Sequence, residues 1–202
     1  DLDQVDLSNL HRQILFEEKD IGKNKAICAK SKLQKHNSEI KIIDYPFALN
    51  ETNYQEIVTL YDIIVDGTDS LKSRYLINDA CILLNKIMVY GALHKFEGQV
   101  SVFNYENGPS YRCLFPNTQS ETEVPNCSEI GVLGVLPGVI GLLQATEVLK
   151  IITKKEDVLS GKMLCLNLLN HTQFLLRFSK KQRVFEKFIS FKINKQNIKS
   201  KK

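Results

Sequence analysis

A chain of 202 residues, 43% hydrophobic and 25% charged, has the size and composition of one α/β domain with a substantial core. No apolar run reaches the roughly 18 residues that span a bilayer, and no signal peptide opens the chain, so a membrane role is not expected. The net charge of +4 comes largely from the end, where Lys180, Lys181, Arg183, Lys187, Lys192, Lys195, Lys199, Lys201 and Lys202 cluster. Without interleaved aromatic platforms or a reading motif, this tail is expected to be solvated and not to bind nucleic acid.

The first residue is Asp1, placed where a strand would end, so the chain reads as part of a longer sequence. Lys23 to Asn37 carries Ala26, Ala29, Lys30 and Leu33 at helical spacing, and an Ile-rich strand is expected at Lys41 to Tyr45. Thr52 or Asn53 caps a second helix through Leu60. Asp62 to Asp66 then forms an unbroken apolar run, the pattern of a buried parallel strand. Ser70 is placed to cap a helix through about Leu84, followed by a strand at Ile87 to Gly91. This alternation predicts a Rossmann-like, doubly wound, mostly parallel α/β sheet.

Glu97 to Tyr105 changes to period two, with Val100, Val102 and Asn104 set against Gln99, Ser101 and Phe103, which marks an added strand. Residues 106–136 read as a loop holding Gly108, Pro109, Pro116 and Pro125, long enough for a functional role. Pro137 suits the first turn of an apolar helix to Ile152. Leu164 to Leu169 and Gln173 to Phe178 flank Asn170-His171 as an antiparallel hairpin, and weak strand signals recur near Val184 to Ile193. The expected division is a domain at 1–178 and a basic tail at 179–202.

Five cysteines, Cys28, Cys81, Cys113, Cys127 and Cys165, lie scattered with no CxxC pair, which argues against a disulfide framework and fits a reducing, cytoplasmic setting. Asp1-Leu2-Asp3 stands at an expected strand end, where a Rossmann-like unit holds ribose hydroxyls; taken alone, solvated loop carboxylates are the commoner reading. Asp69 would emerge at the C-terminal edge of the sheet, or else serve only as a helix cap.

Taken together, Asp3-x-Val5-x-x-Ser8-Asn9-Leu10-x-Arg12-Gln13, Gly22-x-x-Lys25 and Asp66-Gly67-Thr68-Asp69 resemble the ThiF/MoeB/HesA family of sulfur-carrier adenylyltransferases, relatives of the ubiquitin-activating enzymes. The likeness continues through Tyr90-Gly91-Ala92, Glu97-Gly98-Gln99-Val100, Tyr111-Arg112-Cys113-Leu114 and Gly141-x-x-Gln144-Ala145-x-Glu147. It implies ATP-dependent activation of the C-terminal glycine carboxylate of a ubiquitin-like sulfur-carrier protein, for thiamine or molybdopterin synthesis. The implied triphosphate contacts are Asn9, Arg12, Gln13 and Lys25, with Asp1 on the ribose and Asp69 near Mg2+. Arg12, Lys25 and Asp69 would be catalytic, and Cys127 a covalent or sulfur-transfer residue; a lone Cys can equally be a small buried hydrophobe. A homodimer built near Val135 to Ile152 and a sulfurtransferase partner belong to the same picture.

The chain departs from that pattern in three places. The first βα unit with its glycine loop is not within these 202 residues, so weak ATP binding and an exposed sheet edge are expected of them. Ser70 stands where Asn is usual after Asp69. Ser110 replaces the first cysteine of a zinc-binding pair and no CxxC follows Phe178, so structural zinc is not expected. Two other readings account for less. A non-catalytic subunit docking a ubiquitin-like protein explains the missing glycine loop but not the retained Arg12, Lys25 and Asp69. A nicotinamide-dependent dehydrogenase explains the βα rhythm alone.

Overall fold

The computed structural model describes residues 1–116 and 131–181. Among the described residues, five strands form one sheet: β1 (Ile63–Asp66), β2 (Ile87–His94), β3 (Glu97–Phe103), β4 (Lys162–Asn167) and β5 (Thr172–Arg177), hydrogen-bonded in that order. β1 and β2 run parallel, and the later pairs are antiparallel. The helices are α1 (Lys25–His36), α2 (Tyr54–Val58), α3 (Leu71–Leu83), α4 (Tyr111–Leu114) and α5 (Leu136–Ile152).

β2 is covered on both faces, and its period of two divides the core. Met88 and Tyr90 join Tyr75, Ile77 and Cys81 of α3 with Phe103 and Tyr111, whereas Val89 faces Val102 and Val158 on the other side. On that second face Val100 packs with Leu136 and Ile140 of α5. Close approach of α5 depends on two glycines: a methyl at Gly98 would strike the end of Ile140, and one at Gly91 would lie 2.6 Å from Gln144 Cδ.

The elements follow local signals. Asn24 caps α1 by accepting from the Ile27 amide at 3.2 Å, and Ser70 Oγ accepts from the Ser73 amide at 3.3 Å at the start of α3. Pro137 lies in the first turn of α5, and His171, at φ 56°, turns the β4–β5 hairpin. The stretch expected as a strand at 41–45 is extended but joins no ladder. It is tied by a hydrogen bond from the Asp1 amino group to Tyr45 O at 2.7 Å, by the Lys30–Asp44 ion pair at 2.6 Å and by a Tyr61–Tyr45 hydroxyl contact. A strand needs a hydrogen-bonding neighbour, and β1 stands at the sheet edge among the described residues with Val65 half exposed. Among the described residues, no helix is long and apolar enough to cross a membrane.

Candidate functional site

The amino-terminal segment is assembled by its own backbone. Val5 N donates to Lys23 O and Gly22 N to Val5 O, both at 2.9 Å, so the Gly22-x-x-Lys25 segment zips onto the opening residues. Gly22 makes the reversal at φ 83° with open space around its α-carbon, so it is required for conformation and not for room. Lys25 N then donates to Asp3 O at 2.9 Å, and the Asn24 amide spans the Asp1 and Asp3 carbonyls at 3.0 and 3.4 Å. Lys25 Nζ lies 3.4 Å from Asp3 Oδ2; the lysine side chain is 13% exposed and the aspartate 63%.

Asp6 caps the next turn. Its carboxylate accepts from Ser8 N at 2.7 Å while Asn9 Oδ1 accepts from Asp6 N at 3.4 Å, a reciprocal cap that buries Asn9. Its hydrogen bonds from Ser8, helped by the nearby Lys25 charge, hold the Asp6 carboxyl below the usual carboxylate range. Arg12 and Gln13 both donate their amides to Asn9 O, at 3.0 and 2.9 Å, so Asn9, Arg12 and Gln13 share one turn. The Arg12 guanidinium folds back to Ser8 O at 2.7 Å. Gln13 Oε1 is buried with no hydrogen-bond partner among the described residues.

Asp69 follows β1. It is exposed, and Ser70, not Asp69, caps α3, which answers one of the two readings of that carboxylate. The loop before it is tightly held. Asp66, wholly buried, accepts from Thr68 N and Oγ1 at 2.9 and 2.7 Å and from Arg74 Nε at 3.1 Å. Burial opposes the Arg74 charge, but Tyr90, Asp66 and Tyr111 and the hydrogen bond to Asp66 together raise the pKa of the guanidinium, which lies 4.9 Å over the Tyr90 ring. Arg74 and Gln144 were not among the residues expected at the site. The available signal was a polar set, Arg74, Asn78 and Asp79, inside an otherwise apolar helix, since buried polar groups require partners.

The structure therefore gathers Asp1, Asp3 and Lys25 in one group and Asn9, Arg12 and Gln13 in another. Gly134 packs against His11, where a methyl would lie 2.6 Å from His11 O, and Leu133 N donates to Lys95 O at 3.0 Å, just past the C-terminal end of β2. Two clefts are formed elsewhere. One of about 620 Å³ lies between residues 14–23 and α1, and one of about 440 Å³ is lined by Arg74, Tyr75, Tyr90, His94, Tyr111 and Phe115; neither is lined by Asn9, Arg12, Gln13, Lys25 or Asp69.

Cys127 lies outside the described residues, as does most of the basic tail. Cys28, Cys81 and Cys113 are buried, and burial pushes the Cys81 thiol up to about 12. Cys113 Sγ lies 3.5 Å from Ser110 Oγ and accepts from the Lys181 amide at 3.4 Å. Among the described residues, no group of three or more His, Cys, Asp and Glu is placed to hold a metal. A lone exposed Asp69 suits Mg2+, which is commonly held by one or two carboxylates with substrate phosphates.

A model of the ThiF family matches residues 1–185. The chain belongs to the ThiF family. Among its relatives is a probable molybdopterin-synthase adenylyltransferase of Porphyra purpurea, 47% identical over 192 residues, covering 90% of this chain and 50% of the relative. The adenylyltransferase and sulfurtransferase MOCS3 of Culex quinquefasciatus is 48% identical over 164 residues, 81% of this chain and 37% of that one. A sulfur carrier protein adenylyltransferase of Thermus thermophilus is 44% identical over 169 residues, 81% and 62%. This ThiF-family chain thus spans between 37% and 62% of these relatives' lengths. Its fold matches E. coli MccB solved with AMPCPP and MccA, with TM-score 0.72 at 22% identity over 89% of this chain and 55% of MccB. The Rossmann-like architecture with added antiparallel strands is that of the family.

Proposed function

We propose that the protein bearing this ThiF-family domain is an ATP-dependent adenylyltransferase that activates the C-terminal glycine carboxylate of a ubiquitin-like sulfur-carrier protein. The observation that carries this reading is the placement of Lys25, a largely covered lysine whose main chain is hydrogen-bonded to Asp3 O and whose ammonium is paired only loosely with the exposed Asp3 carboxylate. A loosely paired cation can turn to a phosphate at little cost. The names of the relatives, molybdopterin-synthase adenylyltransferase and sulfur carrier protein adenylyltransferase, supply the chemistry.

In the step proposed, a carboxylate oxygen of the carrier attacks the α-phosphorus of ATP, the bond to the bridging oxygen breaks, and pyrophosphate leaves with the electron pair, giving an acyl adenylate. No protein nucleophile takes part. Arg12 unfolds from Ser8 O to offer its planar fork to phosphate oxygens, Lys25 supplies a point charge, and Asn9 and Gln13 offer amide donors. Asp1 takes the ribose hydroxyls. Asp69 would hold Mg2+, which would supply positive charge to offset that of the triphosphate.

Molybdopterin synthesis is favoured over thiamine synthesis by the name of the molybdopterin-synthase adenylyltransferase relatives. The MOCS3 name also supports a sulfurtransferase partner or domain, with Cys127 as the residue that would take part in sulfur transfer. Leu142, Leu149 and Ile152 leave an exposed apolar stripe on α5, which supports a homodimer through that helix. The cysteine pattern supports a cytoplasmic setting.

The test is carrier-dependent exchange of labelled pyrophosphate into ATP by the intact protein. Exchange should occur and fall about a hundredfold or more in Lys25→Ala or Arg12→Ala. Absence of exchange with either class of carrier would overturn the reading.

A further inference from the structure

Asp66 and Arg74 form a buried pair that holds the short loop after β1. One Asp66 oxygen accepts from the Thr68 amide and hydroxyl and the other from Arg74 Nε. Arg74 Nη2 passes on to Thr68 O at 2.7 Å and reaches Gly91 O at 3.4 Å. From the opposite face, Gln144 Nε2 donates to Asp66 O at 2.8 Å and Val89 O at 3.3 Å. Residues 66–68 are thereby fixed from α3, from α5 and by their own turn, and the next residue is Asp69, exposed and uninvolved in capping.

Stability alone does not account for this arrangement. Desolvating two opposite charges roughly cancels their attraction, so an apolar pair of similar volume would hold α3 to β1 about as well. What an apolar pair could not do is grip the Thr68 carbonyl and the Asp66 carboxylate at once from one planar group. The distinctive product of the pair is the direction in which the chain leaves β1.

We infer that Arg74 is a positioning residue, acting through Asp66 and Thr68 to aim the Asp69 carboxylate at the C-terminal end of the sheet. The inference rests on the adenylyl-transfer reading, in which Asp69 meets the metal-bound triphosphate. Gln144 supports the same loop through its main chain. Neither Arg74 nor Gln144 needs to touch the nucleotide.

The experiment uses the intact protein with Arg74→Lys, which keeps the charge but loses the fork. Calorimetric titration of ATP with and without Mg2+ gives the factor by which magnesium strengthens binding, and amide hydrogen exchange reports on residues 67–69 without ligand. In Arg74→Lys, exchange at Thr68 should quicken and the magnesium factor should fall about tenfold or more, while ATP alone binds as before. Unchanged magnesium enhancement in a folded Arg74→Lys protein would overturn the inference. Should that variant fail to fold, Thr68→Val, which removes only the hydroxyl bond to Asp66, should lower the same factor by a smaller amount, and no change there would overturn it equally. If the unsubstituted protein shows no carrier-dependent pyrophosphate exchange, adenylyl transfer fails on its own; if it exchanges normally and the magnesium factor resists both substitutions, positioning alone fails.

Discussion

Gln144 occupies the space that a side chain at Gly91 would need. A methyl at Gly91 would lie 2.6 to 2.8 Å from the Gln144 amide, which is buried and hydrogen-bonded to Asp66 O. Gly91→Ala should therefore push Gln144 off its carbonyls and destabilise the domain by about 2 kcal/mol, a fall in Tm of about 4–8 °C. The pair should be non-additive: in Gly91→Ala/Gln144→Ala the steric part disappears and the double variant loses less than the sum of the singles, measured by thermal unfolding.

Gln13 gives the opposite sign. A buried acceptor without a partner costs about 1–3 kcal/mol, and an apolar chain of similar shape removes that cost. Gln13→Met should raise Tm by about 2–4 °C and weaken ATP binding, an exchange of function for stability read by calorimetry on the same sample.

A third expectation concerns acid. Lys32 bonds Asp20 and Glu17, each at 2.6 Å, and ties the 18–20 turn to α1. The Lys32 hydrogen bond is the chief cause that holds the Asp20 carboxyl at about 2, below its ordinary 3.8. A depressed carboxyl pKa stabilises the fold above the unfolded value and ceases to do so as pH falls through the folded one. The Tm gap between the natural protein and Lys32→Met should thus be full above pH 4 and close as pH falls toward 2.

Arg112 and Asp79 form a bidentate pair at 2.7 and 3.0 Å, with the guanidinium 4.7 Å over the Tyr75 ring. This contact and the Asn78 bond to Tyr111 N fix α4 against α3. Arg112→Ala leaves the Asp79 carboxylate largely buried and unpaired, at a cost of about 3 kcal/mol in denaturant unfolding. Arg112→Ala/Asp79→Ala should recover part of that loss.

The fold was legible where one physical signal dominated. α1 followed from helical spacing, α3 from its Ser70 cap and α5 from Pro137 opening an apolar run, and β3 from its alternation, whose two residue sets do face opposite layers. The 41–45 strand was not, because apolar composition records a tendency to be extended but not whether a neighbour completes a ladder. At the candidate site the sequence named the motif residues, while the turn shared by Asn9, Arg12 and Gln13 emerges only from the structure. The support around Asp69 escaped, because Arg74 and Gln144 lie 8 and 78 positions from Asp66 and meet it only through the packing of two helices on one sheet.

α3 differs from α1 in one further respect. Eight of its residues, polar ones included, are buried between the sheet, α4 and the Asp66 loop, whereas α1 buries only Cys28. Random mutagenesis should therefore find α3 nearly intolerant, with hydrophilic positions as unforgiving as apolar ones, while α1 accepts wide variation outside Lys25, Cys28 and Lys32. A library built on this domain has its freedom at 26–36 and very little at 74–82.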